Sequence, residues 1–153
     1  MQPRFSLTEL NPDLYRRMAA LNSSVHNCGL DHQLLELIKM RASQINGCAY
    51  CIDMHSKDAR AMGETEQRLY ALSAWRETPF YTERERAALA LTEAITLITD
   101  GHVPDDVYEE ARRVFDETEV GQILWAAVVI NTWNRLAITS RSVPGSYRPS
   151  EPR

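Results

Sequence analysis

Two cysteines three positions apart, Cys48 and Cys51, are followed one helical turn later by His55, and these residue types at this spacing form a thiol redox set. At about 100° per residue, Cys48, Cys51, His55, Ala59 and Met62 fall on one stripe of a helix, with Asp53, Lys57 and Arg60 opposite. Both sulfurs and the imidazole therefore share a face. A pair so spaced in a first helical turn closes a disulfide with little backbone change. The unpaired amides and positive dipole end at that turn favour thiolate over thiol. A thiolate attacking a peroxide displaces the leaving oxygen and becomes a sulfenic acid. The second cysteine converts this to a disulfide, and an external dithiol resets the pair. Spacing selects Cys51 as the attacking sulfur, because His55 lies four residues on and can take its proton. Cys48 is then the resolving cysteine, and its place nearer the helix end is where an incoming reductant is expected.

Two other readings of the same residues stay open. One is a dithiol-disulfide oxidoreductase without significant peroxidase activity. The other is a redox-sensing or zinc-stapled helical assembly module. A structural zinc site takes four ligands, and no second Cys-x-x-Cys or His-x-x-x-His is present, so neither a metal nor an organic cofactor is expected. Cys28 has no sequence-local partner and reads as core filling. His26 and His32 flank it and read as surface residues, although with Cys28 they form another candidate metal cluster. His102 reads as a turn residue.

The elements that must position this set are helices. Apolar residues recur at helical spacing along the chain, and alternating strand patterns are absent, so the fold class is all-α, a single bundle of six or seven helices. A first helix starts after Asn11 with Pro12 at its favoured first position and carries Leu14, Met18, Leu21 and Val25. Asp31 caps a second, His32 to Asn46, with Leu34, Leu35, Ile38, Ala42 and Ile45 inward and Gly47 as its stop. The third runs from Cys48 to Met62, and a short fourth lies around Glu66 to Trp75. Thr82 and Glu85 have capping-box spacing ahead of a fifth that ends at Gly101. Pro104 opens a sixth. The seventh, Thr118 to Ser140, is apolar on nearly every side from Ile123 to Ile130, which suits a central helix or a subunit interface. Asn131, Trp133, Asn134 and Arg135 interrupt it and are expected to join an internal hydrogen-bond network or a subunit contact rather than line a pocket. Trp75, Tyr70 and Tyr81 read as core or interface aromatics. Residues 1–141 form the helical domain. The Pro- and Ser-containing tail, 142–153, is expected to be flexible or laid on a neighbour.

With 153 residues, 44% hydrophobic and a net charge of -4, the chain has the bulk for one core and lacks the clustered basic excess that nucleic-acid binding needs. The apolar run Ile123 to Ile130 is too short to span a bilayer, and the first residues do not read as a secretory signal, so a cytoplasmic protein is expected.

The stretch Glu36-Leu37-Ile38-Lys39-Met40-Arg41-Ala42-Ser43-Gln44-Ile45-Asn46-Gly47-Cys48-Ala49-Tyr50-Cys51, with His55 and Ala59 after it, resembles the AhpD-like alkylhydroperoxidase branch of the carboxymuconolactone decarboxylase family. The resemblance extends over about Pro12 to Arg141 and is sharpest from Glu36 to Ala59. It implies an all-α fold, trimers or hexamers, and reduction of small hydroperoxides with electrons from a dithiol such as a lipoyl-bearing protein. It also implies a role for Glu36, which fills the family's glutamate position twelve residues before the first cysteine and would pass protons with His55. The second cysteine attacks in that pattern, in agreement with Cys51. The family's best-understood branch has a histidine just before the second cysteine, where this chain has Tyr50. The branch that decarboxylates lacks the cysteine pair, so that activity is not expected. Read from periodicity alone, Glu36 projects off the apolar stripe of its helix as a solvated carboxylate. If instead buried near Cys51, it is expected to have a raised pKa.

Overall fold

A computed structural model describes residues 2–149. Among them the chain forms eight α-helices and one 3-10 segment: α1 Leu7–Leu10, α2 Pro12–His26, α3 His32–Asn46, α4 Ala49–Ala61, α5 Glu66–Ala71, the 3-10 turn Leu72–Glu77, α6 Glu83–Thr96, α7 Asp105–Val114 and α8 Glu117–Ser140. The all-α class is as expected. The count exceeds seven because a one-turn helix, α1, precedes Pro12, and because the stretch after Glu66 splits into α5 and the 3-10 turn. The helix expected to reach Gly101 ends at Thr96, after which the backbone passes into turns, with Asp100 N–H donating to Leu97.

The frame is built on α3. Asp31 caps it by accepting the Leu34 amide at 3.0 Å. Residues Leu34 to Met40, Ala42 and Ser43 are all buried, polar ones included, because α4, α6 and α8 pack around the helix and leave little of it facing water. Leu34, Leu35 and Ile38 join a core with Ala88, Leu91, Ile123 and Phe115, while Leu37 and Met40 meet Leu69, Leu72, Trp75 and Leu89 on the other side. Each fully buried leucine or isoleucine contributes about 1.5–3 kcal/mol.

α3 stops at a Schellman turn: Gly47 adopts φ +68°, Cys48 N–H donates to Ser43 C=O at 3.0 Å and Gly47 N–H to Gln44 C=O at 3.2 Å. A side chain is strained at that φ, which is why glycine stands between the two site helices. Cys48 is thus the last residue of the turn and also the N-cap of α4. The helix begins one residue later than the spacing suggested. Capping boxes at Thr82/Glu85 and Asp116/Glu119 start α6 and α8.

α8 buries Val120, Ile123, Ala126, Ala127, Val129 and Ile130, but leaves Leu124, Trp125, Val128 and Ile138 exposed. Asn131, Asn134 and Arg135 of its polar interruption form an internal network, as expected, whereas Trp133 lines a cleft shared with Cys51, contrary to the expectation. Asn46 Nδ2 donates to both Asn131 Oδ1 and Asn134 Oδ1 at 2.9 Å, and the fully buried Asn134 donates to Ser43 Oγ at 3.0 Å. Arg135 Nη1 donates to Asn131 Oδ1 at 3.0 Å. These bonds tie the end of α3 to α8 beside Gly47. No helix of the described residues is long and apolar enough to cross a membrane.

Candidate active site

Cys48 and Cys51 are joined as a disulfide, with their Cα atoms 5.4 Å apart. The two sulfurs have different surroundings. Cys48 lies in a buried cluster with Ala42, Ile130 and Ala137 that Cys51 shares, and its Sγ accepts the Cys51 amide at 3.4 Å, the N-cap bond of α4. Cys51 is also buried, but it lines an open cleft of about 870 Å³. Of the pair it is Cys51 that lines the cleft, not Cys48, the sulfur whose place near the helix end suggested an approach for an incoming reductant.

His55 lines the same cleft from α4, one turn beyond Cys51. Its Nδ1 is 2.8 Å from Glu36 Oε2, and Glu36 Oε1 accepts Lys39 Nζ at 2.7 Å. Glu36 is only 3% exposed, which overturns the solvated-carboxylate reading: periodicity placed it off the apolar stripe, but that side of α3 faces α4 at the edge of the cleft, where His55 and Lys39 cover the carboxylate. The expected raised pKa is overturned as well. Burial pushes the Glu36 carboxyl up, but the His55 hydrogen bond, the His55 charge and the Lys39 ammonium outweigh it and bring the group down to about 2. An ionised Glu36 only accepts, so Nδ1 carries the hydrogen and Nε2 is left to exchange a proton.

Asp58, one turn past His55, extends the group. Its Oδ2 is 4.0 Å from His55 Nδ1, and its Oδ1 accepts the Tyr147 hydroxyl at 2.6 Å. Burial raises the Asp58 pKa, with the Tyr147 bond pulling against it. Burial also raises Tyr147, helped by the Asp58 carboxylate. Among the described residues, Glu36, His55 and Asp58 bring three potential metal-binding atoms within 4.8 Å of one another. Their donor set fits a hydrogen-bonded chain better than a cation site, since Lys39 already neutralises Glu36 and Tyr147 already occupies Asp58.

Opposite α4, the cleft is walled by α2 and α8. Tyr15 meets Trp133 edge-on with ring centroids 5.6 Å apart, and Trp133 Nε1 donates to Asn22 Oδ1 at 3.2 Å. Tyr50 lines it too, as do His26 and His32, whose rings stack 4.3 Å apart. His32 is exposed and His26 half-buried, its pKa lowered by burial and by His32 and Lys39 nearby. Cys28 is a free, partly buried thiol packed on the core. Trp75 and Tyr81 are buried, whereas Tyr70 is exposed.

Sequence reasoning missed Lys39, Asp58 and Tyr147. The first two carried a signal, since each lies three residues from a site residue on the same helix, Lys39 from Glu36 and Asp58 from His55. Tyr147 carried none. It belongs to the segment 142–149, which lies along α4, while the rest of the expected tail, 150–153, is outside the described residues.

A helical bundle with a Cys-x-x-Cys pair opening α4 beside a buried Glu–His couple defines an AhpD-like protein. The chain belongs to the carboxymuconolactone decarboxylase family, whose profile matches residues 12–94. It is 45% identical over 138 residues to the uncharacterized protein YdfG of Bacillus subtilis, a match covering 90% of this chain and 94% of that one. A crystallised Agrobacterium tumefaciens protein of unknown function, described as a candidate antioxidant defence protein AhpD, superposes with a TM-score of 0.93 at 42% identity, covering 95% of this chain and all of the other. The debrominase Bmp8 shares the fold at 24% identity, with a TM-score of 0.77 over 89% of this chain and 73% of its own.

Proposed function

We propose that the protein is a thiol-dependent peroxidase that reduces an organic hydroperoxide and is reset by an external dithiol. The observation that carries this reading is the placement of Cys51 on the cleft beside His55, whose Nδ1 is held by the ionised Glu36. In the reduced protein His55 Nε2 takes the Cys51 proton. The thiolate attacks the terminal peroxide oxygen, the O–O bond breaks, and the leaving alkoxide takes the proton from His55 to become the alcohol. Cys48, as a thiolate at the α4 N-terminus, then attacks the Cys51 sulfenic acid. The S–O bond breaks, the departing hydroxide is protonated to water, and the disulfide forms. A dithiol entering the cleft attacks Cys51 and expels Cys48. The second thiol of the donor then releases Cys51 and leaves as an oxidised donor disulfide. A lipoyl-bearing protein fits the donor chemistry, and a reducing compartment such as the cytoplasm fits the cycle. A homo-trimer or hexamer fits the exposed Leu124, Trp125 and Val128 of α8.

The test is peroxide consumption with dithiothreitol as donor. Cys51→Ser abolishes it, while Cys48→Ser leaves a sulfenic acid that a dimedone probe traps on Cys51. Unchanged consumption in both variants overturns the mechanism. A second reading, exchange with disulfide substrates, is favoured by a cleft far larger than a peroxide group needs. Disulfide turnover far exceeding that of every hydroperoxide tried selects it.

A further inference from the structure

The last described residues are held against the site by hydrogen bonds to side chains of α4. Gly145 N–H donates to Asp53 Oδ2 at 3.0 Å, and Lys57 Nζ donates to Gly145 C=O at 3.4 Å and Tyr147 C=O at 3.3 Å. Asp53 and Lys57 pair with each other at 2.8 Å one turn apart on α4, on the face opposite the sulfurs. The clamp thus grips the segment from outside while Tyr147 bends over to bond Asp58. Val143 to Ser146 are all exposed, so apolar burial contributes little to holding the segment. Tyr147 and Pro149 nonetheless line the same cleft as Cys51.

We propose that the segment 145–149 is the detachable outer wall of the cleft, and that Tyr147 is a specificity residue that holds the aryl group of an organic hydroperoxide over Cys51. This rests on Cys51 being the reacting sulfur. A peroxide group needs only the sulfur and His55, and nothing in a small hydroperoxide would use the rest of the space. Tyr15, Tyr50 and Trp133 supply aromatic surface from α2, α4 and α8, and Met54 adds a polarizable thioether. Tyr147 adds a further aromatic group from outside the bundle, its hydroxyl anchored on Asp58 so that the ring has a fixed place. An aryl substituent meets such surfaces with favourable offset or edge contacts, which hydrogen peroxide cannot make.

The experiment compares the wild type, Tyr147→Ala and the clamp variant Asp53→Asn/Lys57→Gln. The first reading is the ratio of kcat/KM for cumene hydroperoxide to that for hydrogen peroxide, which falls about tenfold in Tyr147→Ala. The clamp variant leaves the tyrosine in the sequence but releases the segment, and its ratio falls in the same direction. The second reading needs no turnover. Cumyl alcohol protects reduced Cys51 from iodoacetamide, and the concentration giving half protection rises about tenfold in Tyr147→Ala. Failure of the wild type to consume either peroxide removes the peroxidase reading and leaves the alkylation result standing as the test of the wall. An unchanged protection constant, or no protection in the wild type, overturns the wall itself. So does a ratio in Tyr147→Ala equal to that of a wild type that turns over both peroxides.

Discussion

Two buried glutamates, Glu36 on α3 and Glu93 on α6, are alike in most respects and differ in one that matters. Glu36 is 3% exposed and Glu93 9%, and in both cases burial pushes the carboxyl pKa up while bonded partners bring it below the ordinary value. Glu93 accepts Trp75 Nε1 at 2.8 Å and Arg41 Nε at 2.6 Å, and pairs with Arg76. Indole and guanidinium groups act as donors only. Glu36 shares itself between Lys39 and His55, and His55 opens onto the cleft with Cys51. Burial and a lowered pKa therefore do not mark a reactive carboxylate. What sets Glu36 apart is an imidazole partner, able to donate or accept, that lines one cleft with Cys51.

Replacing the two residues in turn breaks or sharpens that contrast. The largest expected effect is on turnover: Glu36→Gln lowers kcat/KM for hydroperoxide on the order of 10²-fold, because the amide no longer stabilises a protonated His55. Glu93→Gln stays within about threefold. Equal losses in steady-state assays would mean that both carboxylates act only through the fold. Next in size is stability. Glu93→Gln leaves Arg41 without its carboxylate in a partly buried setting and costs about 2 kcal/mol, a fall in Tm of roughly 4–8 °C by calorimetry. No change in Tm would make Glu93 a surface ion pair in energetic terms.

What could be read beforehand follows the same division between local and distant causes. The start of α2 and both ends of α3 were legible because Pro12, Asp31 and Gly47 are local signals, and the common face of the sulfurs and His55 was legible because their spacing is local. The one-turn α1 was not. It buries no residue and has no side-chain cap, and the chain just before it is fixed by Arg4, whose amide donates to Ser140 C=O at the far end of the sequence. The burial of Glu36 was illegible for a related reason. A helix pattern tells which side is apolar but not that α4 lies against the polar side and sets His55 on the carboxylate. The sign of its pKa shift then depended on His55, which reaches it from another helix, and after that on Lys39, buried beside the carboxylate. Tyr147 meets Asp58 across 89 positions of sequence, in a segment without helical periodicity to announce it.

The smallest effect concerns Lys39 alone and isolates its share of the Glu36 environment. The folded Glu36 pKa, about 2, lies below its ordinary 4.5, so this group adds stability that is fully present above about pH 4.5 and is lost as pH falls towards 2. Lys39→Met removes the ammonium's charge and hydrogen bond, both of which lower the carboxyl pKa. The folded value then moves up towards the unfolded one, and the folded state takes up its proton at higher pH. Between pH 4.5 and 2 the difference in bound protons between unfolded and folded chains shrinks, so the fall of stability with acid becomes shallower. Glu93, also held below its ordinary value, contributes to the same acid limb in wild type and variant alike, and cancels from the difference. Urea unfolding at a series of pH values should therefore show the variant less stable than the wild type near neutrality, with the two curves converging in acid. Parallel curves would mean that His55 by itself holds Glu36 ionised, and that Lys39 contributes only packing.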